Sequence, residues 1–216
     1  MTKVARRRQQ GSFVLEFAIV APTLVLLLAG TVDVGLSLNR SIVAGQVCRN
    51  ANVLAVRGID LSLSQNQQLL MRTAAGLGMN SAGSWNPNPA GNGVILLTKV
   101  LRVGPLECSV GITNWDGKPG TCPNYGQYVI AARITIGNGT RWQSKTGNPA
   151  TAQQSNGALY DSDIASNTGN VALNFPAMVA LDFDQYTYVS EIYVDTSVYQ
   201  LFSIAQAPLI YLRNLS

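Results

Sequence analysis

Few side chains in this sequence could do chemistry. Histidine is absent from all 216 residues, which removes imidazole bases, His-containing triads and nearly every transition-metal site. Cysteines stand only at positions 48, 108 and 122. Cys108 and Cys122 enclose 13 residues of a Pro/Gly-rich connection. In an exported domain a disulfide between them would contribute about 3 kcal/mol through loop entropy. The alternative, a metal pair, lacks further Cys or His ligands. Cys48 is left over and reads as a small buried apolar residue. The close acidic pairs are Asp161 with Asp163 and Asp182 with Asp184. Neither forms an EF-hand loop, because Ala165 occupies the third ligand place after Asp161, and both read as solvated loop residues. No catalytic residue, metal or cofactor is assigned, and the chain is not expected to be an enzyme.

Glu16 is the remaining residue of interest, and its surroundings make it so. It is the only charge in the 20 residues from Phe13 to Val32, a stretch long enough as a helix to cross about 30 Å of hydrocarbon. A carboxylate there costs roughly 2.5–3.5 kcal/mol on insertion scales, so it calls for a function. The bland account is that Glu16 snorkels at the membrane edge, three residues beyond Phe13. Lys3, Arg6, Arg7 and Arg8 precede the span, and its far side opens with Asp33. The positive-inside rule therefore puts the N-terminus in the cytoplasm and exports the chain from Asp33 onward. Without those four cations the chain carries 11 basic and 11 acidic residues, so the overall +4 is no nucleic-acid surface.

The run from Arg6 through Gly11, Ser12 and Glu16 to Phe17 resembles the prepilin peptidase motif of type IV filament subunits. That resemblance implies cleavage between Gly11 and Ser12, which makes Glu16 the fifth residue of the mature chain. Cleavage would create an ammonium at Ser12 one helical turn from the Glu16 carboxylate, in the same or a neighbouring subunit. Glu16-Phe17 followed by Pro22, a Leu-rich run and Asp33-Val34-Gly35 is more narrowly similar to the TadE-like minor pilins, or pseudopilins, of the tight-adherence pilus. Val34 stands where that family has an aromatic residue, and Arg49 keeps one position of its later basic run. Pro22 removes an intrahelical hydrogen bond, and a kink is expected there.

The resemblance implies a subunit that assembles through its N-terminal helix with other major and minor pilins and is processed by prepilin peptidase. It would act in pilus assembly, priming or surface adhesion, with neither nucleic acid nor a small-molecule substrate as partner. Its place would be the bacterial inner membrane with a periplasmic head and, after assembly, an extracellular pilus. Two rivals stand beside this reading: a pseudopilin of a type II secretion or ordinary type IV system, and an uncleaved single-pass receptor or enzyme subunit.

The elements that would position these residues give an α+β fold, a long helix packed on a head with an antiparallel sheet. The expected division is a basic leader (1–11), an N-terminal helix (12–58; membrane part about 13–32, stalk about 33–58) and a head (59–216). Ile42, Val43, Val47, Ala51, Leu54 and Ala55 recur at helical spacing and predict a stripe packed on the head, with a stop near Gly58. A second helix is expected over about 63–77, capped by Ser62 or Ser64. The segment Trp85–Pro89 reads as turns. Strands are expected at 94–103, 128–136, 140–143 and 187–195, with Gly137-Asn138-Gly139 as a hairpin turn and Ile192 and Val194 facing the core. The polar stretch 146–170 reads as a long loop. The sequons at Asn138 and Asn214 read as chance.

Overall fold

A 50-residue helix, α1 (Arg7–Val56), forms the first element, about 75 Å long at 1.5 Å per residue. The computed structural model describes residues 7–79, 91–173, 175, 179–195 and 209–215, with side chains from residue 14 onward. The predicted turns at Trp85–Pro89 lie outside the described residues, as does the leader before Arg7. α1 ends where expected: Gly58 takes φ +74°, a conformation that costs glycine little and turns the chain out of the helix. α2 (Ser64–Thr73) and a 3₁₀ turn (Ala75–Leu77) follow. The N-cap of α2 is Leu63, which has no side chain to offer, so the predicted serine cap is not formed. The Asp60 carboxylate instead accepts from the Ser62 N–H at 2.8 Å and orders the approach to the helix.

The head is built on five antiparallel strands: β1 (Gly93–Arg102), β2 (Tyr128–Gly137), β3 (Ala158–Tyr160), β4 (Tyr186–Asp195) and β5 (Leu209–Leu215). Their spatial order is β3-β2-β1-β4-β5, with the apolar run Val94–Leu97 in the central strand. A short helix, α3 (Pro105–Gly111), lies between β1 and β2.

Both sheet faces are covered, which is why β1, β2 and β4 are buried on nearly every residue. One face carries Ile95, Leu97, Ile134, Ile136, Ile192 and Val194, packed against Val47, Ala51 and Ala55 of α1 and Leu70 and Leu77 beyond it. The other carries Val94, Leu96 and Tyr193 beneath Trp142.

Four further expectations are corrected. Residues 140–143 form no strand, and 137–139 no hairpin. The Asn138 side chain accepts from the Thr140 hydroxyl and the Arg141 N–H at 2.8 and 3.2 Å and donates to the Gly91 carbonyl at 3.0 Å. These bonds turn the chain across the sheet face instead of along its edge. The stretch 146–170 is more than a loop, since it contains β3 and a 3₁₀ turn (Thr168–Asn170). Ile42, expected in the buried stripe, is exposed, because burial of α1 begins at Ala44.

Candidate functional site

Among the described residues, most of the exposed large apolar side chains lie on α1 before Ala44. From Val14 the helix is long and apolar enough to cross a membrane. Its large side chains are uncovered: Leu15, Val25 and Leu28 are 64–68% exposed. So much unburied Leu and Val in water is unfavourable at about 25 cal/mol per Å². Glu16 lies in its first described turns and is exposed. Pro22 lies within the helix, and Thr23, next to it, donates from its hydroxyl to the Ile19 carbonyl at 3.4 Å. Gly11 and Ser12 lie within the same helix.

The other half of α1 belongs to the head. Ala44, Val47, Cys48, Ala51 and Ala55 face β4 and β5, and their small size lets the helix backbone come close to the sheet. Cys48 is fully enclosed. Its thiol lies 3.3 Å from the Ser190 carbonyl and 3.0 Å from the Ser190 hydroxyl, which donates to the Cys48 carbonyl at 2.8 Å. Burial pushes this thiol up from its ordinary pKa, with Glu191 adding to the effect, so it stays protonated and unreactive.

Residues 11–51 match the family model described as TadE-like protein. The match covers 41 of the 216 residues. The matched segment takes in the exposed apolar surface, Glu16, Pro22 and the first buried turns, ending at Ala51 where the helix is deep in the head. No curated protein and no solved structure matches the chain.

Beyond the TadE-like segment, Cys108 and Cys122 are joined by a disulfide, with Cα atoms 5.9 Å apart. The bridge is buried with Leu101, Val103, Val129 and Ala165, so it fastens the α3 connection onto the end of the sheet. The acidic pairs do structural work instead of merely meeting solvent. Asp161 accepts from the Asp163 N–H at 3.0 Å and the Asn170 amide at 2.8 Å, and so shapes the 161–170 turn. Asp184 accepts from the Leu106 and Glu107 N–H groups at 3.2 and 3.3 Å, capping α3 from a distant part of the chain. Among the described residues no three acidic or cysteine side chains converge on a metal position.

Sequence reasoning missed a buried polar cluster on the second sheet face. Glu191, fully buried on β4, accepts from the Ser144 and Thr146 hydroxyls, the Lys145 N–H at 3.1 Å and the Tyr211 hydroxyl at 2.9 Å. Arg213 of β5 faces it at 3.8 Å. Arg133 of β2 donates to the Thr98 hydroxyl and the Gly147 carbonyl, and burial lowers its pKa to about 10 against the pull of Glu191. These groups clamp the 138–150 segment to the sheet. The available signal was a pattern in β4, where Glu191 stands between Val189 and Tyr193 on the face that Thr187 and Asp195 share.

Proposed function

We propose that the chain is a minor pilin of a tight-adherence pilus, cut between Gly11 and Ser12 and assembled with other pilins through α1. The observation that carries this reading is the coincidence of the TadE-like match with the apolar half of α1 that the head leaves uncovered. The leader and its cations would remain cytoplasmic, the apolar half of α1 would rest in the inner membrane until extraction, and the head would stand in the periplasm. In a filament the Glu16 carboxylate would meet the new Ser12 ammonium of the same or an adjacent subunit, neutralising both charges away from water. Adhesion or priming is the role such a subunit would serve.

Mass spectrometry of the protein purified from native membranes should find Ser12 at the N-terminus. A chain keeping residues 1–11 in a host with active prepilin peptidase would refute the processing step and favour a plain membrane anchor. Glu16→Ala should leave cleavage and membrane level near normal while lowering incorporation into pili. Glu16→Gln, which keeps the size but not the charge, should behave the same way. If both variants assemble like the parent, Glu16 is an edge residue without an assembly role.

A further inference from the structure

A cavity of about 250 Å³ lies between the sheet and the polar stretch after β2, on the face away from α1. Its floor is Leu96 of β1, Arg133 and Thr135 of β2 and Leu159 of β3, all buried and brought together by register, Leu96 opposite Thr135 and Arg133 opposite Leu159. Its walls are polar: Gln143, Asn148, Thr151 and Gln153, with Trp142 among them. No carboxylate lines it.

Arg133 gives this cavity its chemistry. The side chain is buried, and its guanidinium donates to the Thr98 hydroxyl at 2.9 Å, the Gly147 carbonyl at 2.8 Å and the Ser144 hydroxyl at 3.1 Å. A guanidinium has five N–H groups, and these three bonds engage one on each nitrogen. A buried cation beside an open cavity favours an anion there. Among the described residues that line it, Arg133 alone is charged.

We propose that this cavity binds one carboxylate-bearing sugar residue of an acidic polysaccharide. A planar carboxylate is the anion that a guanidinium recognises best, through paired N–H groups. Asn148 donates to the Gln143 amide oxygen, Gln153 to the Gly157 carbonyl, and the Thr151 hydroxyl accepts from Asn167 and Asn170, and each of these side chains keeps a further donor or acceptor for a ring of hydroxyl groups. Leu96, Leu159 and Trp142 offer apolar surface to the C–H groups of the sugar. The volume lies below the roughly 300–1,000 Å³ of drug-sized pockets and suits a single ring. An amino acid is a poorer fit, because nothing in the lining would take its ammonium, and a bare phosphate would leave the amides unused. The site belongs to the head and stands independently of the role proposed for α1.

Calorimetry on the full chain in detergent micelles, with galacturonate, galactose, acetate and inorganic phosphate as probes, tests this assignment. Galacturonate should bind with a Kd on the order of 1 mM, as expected for one small polar ligand. The other three should bind at least about tenfold more weakly, each lacking either the carboxylate or the ring. Asn148→Ala and Gln153→Ala, on the exposed rim, should each weaken galacturonate by about three- to tenfold with thermal unfolding little changed. Arg133→Lys should abolish binding, but Arg133 also holds the loop, so the rim variants carry the decision. Acetate or phosphate binding as tightly as galacturonate would reduce the site to a simple anion anchor and overturn the proposal. Equal binding of galactose, no binding of galacturonate, or rim variants that bind like the parent would overturn it too.

Discussion

At the scale of single residues, Glu191 carries more of the head than any other ionisable side chain. It is wholly buried, and its partners come from the 138–150 segment and from β5, so removing it breaks both attachments at once. Glu191→Ala should destabilise the head by about 3–5 kcal/mol, because Arg213 and Arg133 would keep buried positive charge without their counter-ion. Glu191→Gln should cost less, since the amide oxygen still accepts hydrogen bonds; urea unfolding midpoints would rank the two. The same cluster fixes the alkaline limit of the fold. Burial, then the Glu191 charge, pushes Tyr193 up to about 12, and Tyr211, 4.7 Å away between ring centroids, is raised for the same first two reasons. A tyrosine whose folded pKa exceeds its unfolded value of about 10 holds its proton more tightly in the folded state. Its contribution is complete below pH of about 10 and is lost as pH rises toward 12. Thermal unfolding followed between neutral pH and pH of about 12 should show the loss above 10, and Tyr211→Phe should lessen it.

At the scale of elements, the sheet depends on a close approach of two glycines. Gly137 closes β2 at φ +100°, and a Cβ added there would stand 2.5 Å from the Gly93 carbonyl oxygen at the start of β1. Gly137→Ala should therefore cost about 1–3 kcal/mol, whereas Gly120→Ala, whose Cβ would meet nothing within 4 Å, should be nearly silent in the same denaturation experiment. Elements with a strong internal period were legible in the sequence. α1 and its stop at Gly58, β1, β2 and β4 announce themselves through apolar spacing and turn residues. The pairing of Cys108 with Cys122 was legible from their separation and the Pro/Gly-rich connection between them. α3 was not, because its first turn is capped by Asp184, far along the chain, and Leu106 and Val110 are exposed. β3 was hidden because its three residues borrow their order from pairing with β2. The sugar cavity was invisible for a related reason: its floor comes from three strands whose register no local pattern encodes, and its walls from a stretch whose composition resembles any polar loop.

At the scale of the whole molecule, α1 is one continuous helix from Arg7 to Val56, uncovered at one end and seated in the head from Ala44 onward. It therefore couples the azimuth of the head rigidly to the uncovered end. Each residue of α-helix advances the azimuth by about 100° and the height by about 1.5 Å, so the direction the head faces is set by how many residues separate it from Glu16. One residue inserted between Gly35 and Leu36 should turn the head by about 100° while leaving both halves of the helix chemically intact. Seven inserted residues should return it to within about 20° of its first azimuth, about 10 Å further along the axis. If neighbouring heads must mesh in the proposed filament, recovery of the protein in sheared pili should fall sharply for the single insertion and largely return for the seven-residue one. Equal recovery for both would mean that the head hangs free of its neighbours. In that case the cavity that Arg133 floors would point outward at every angle, with no preferred phase along the fibre.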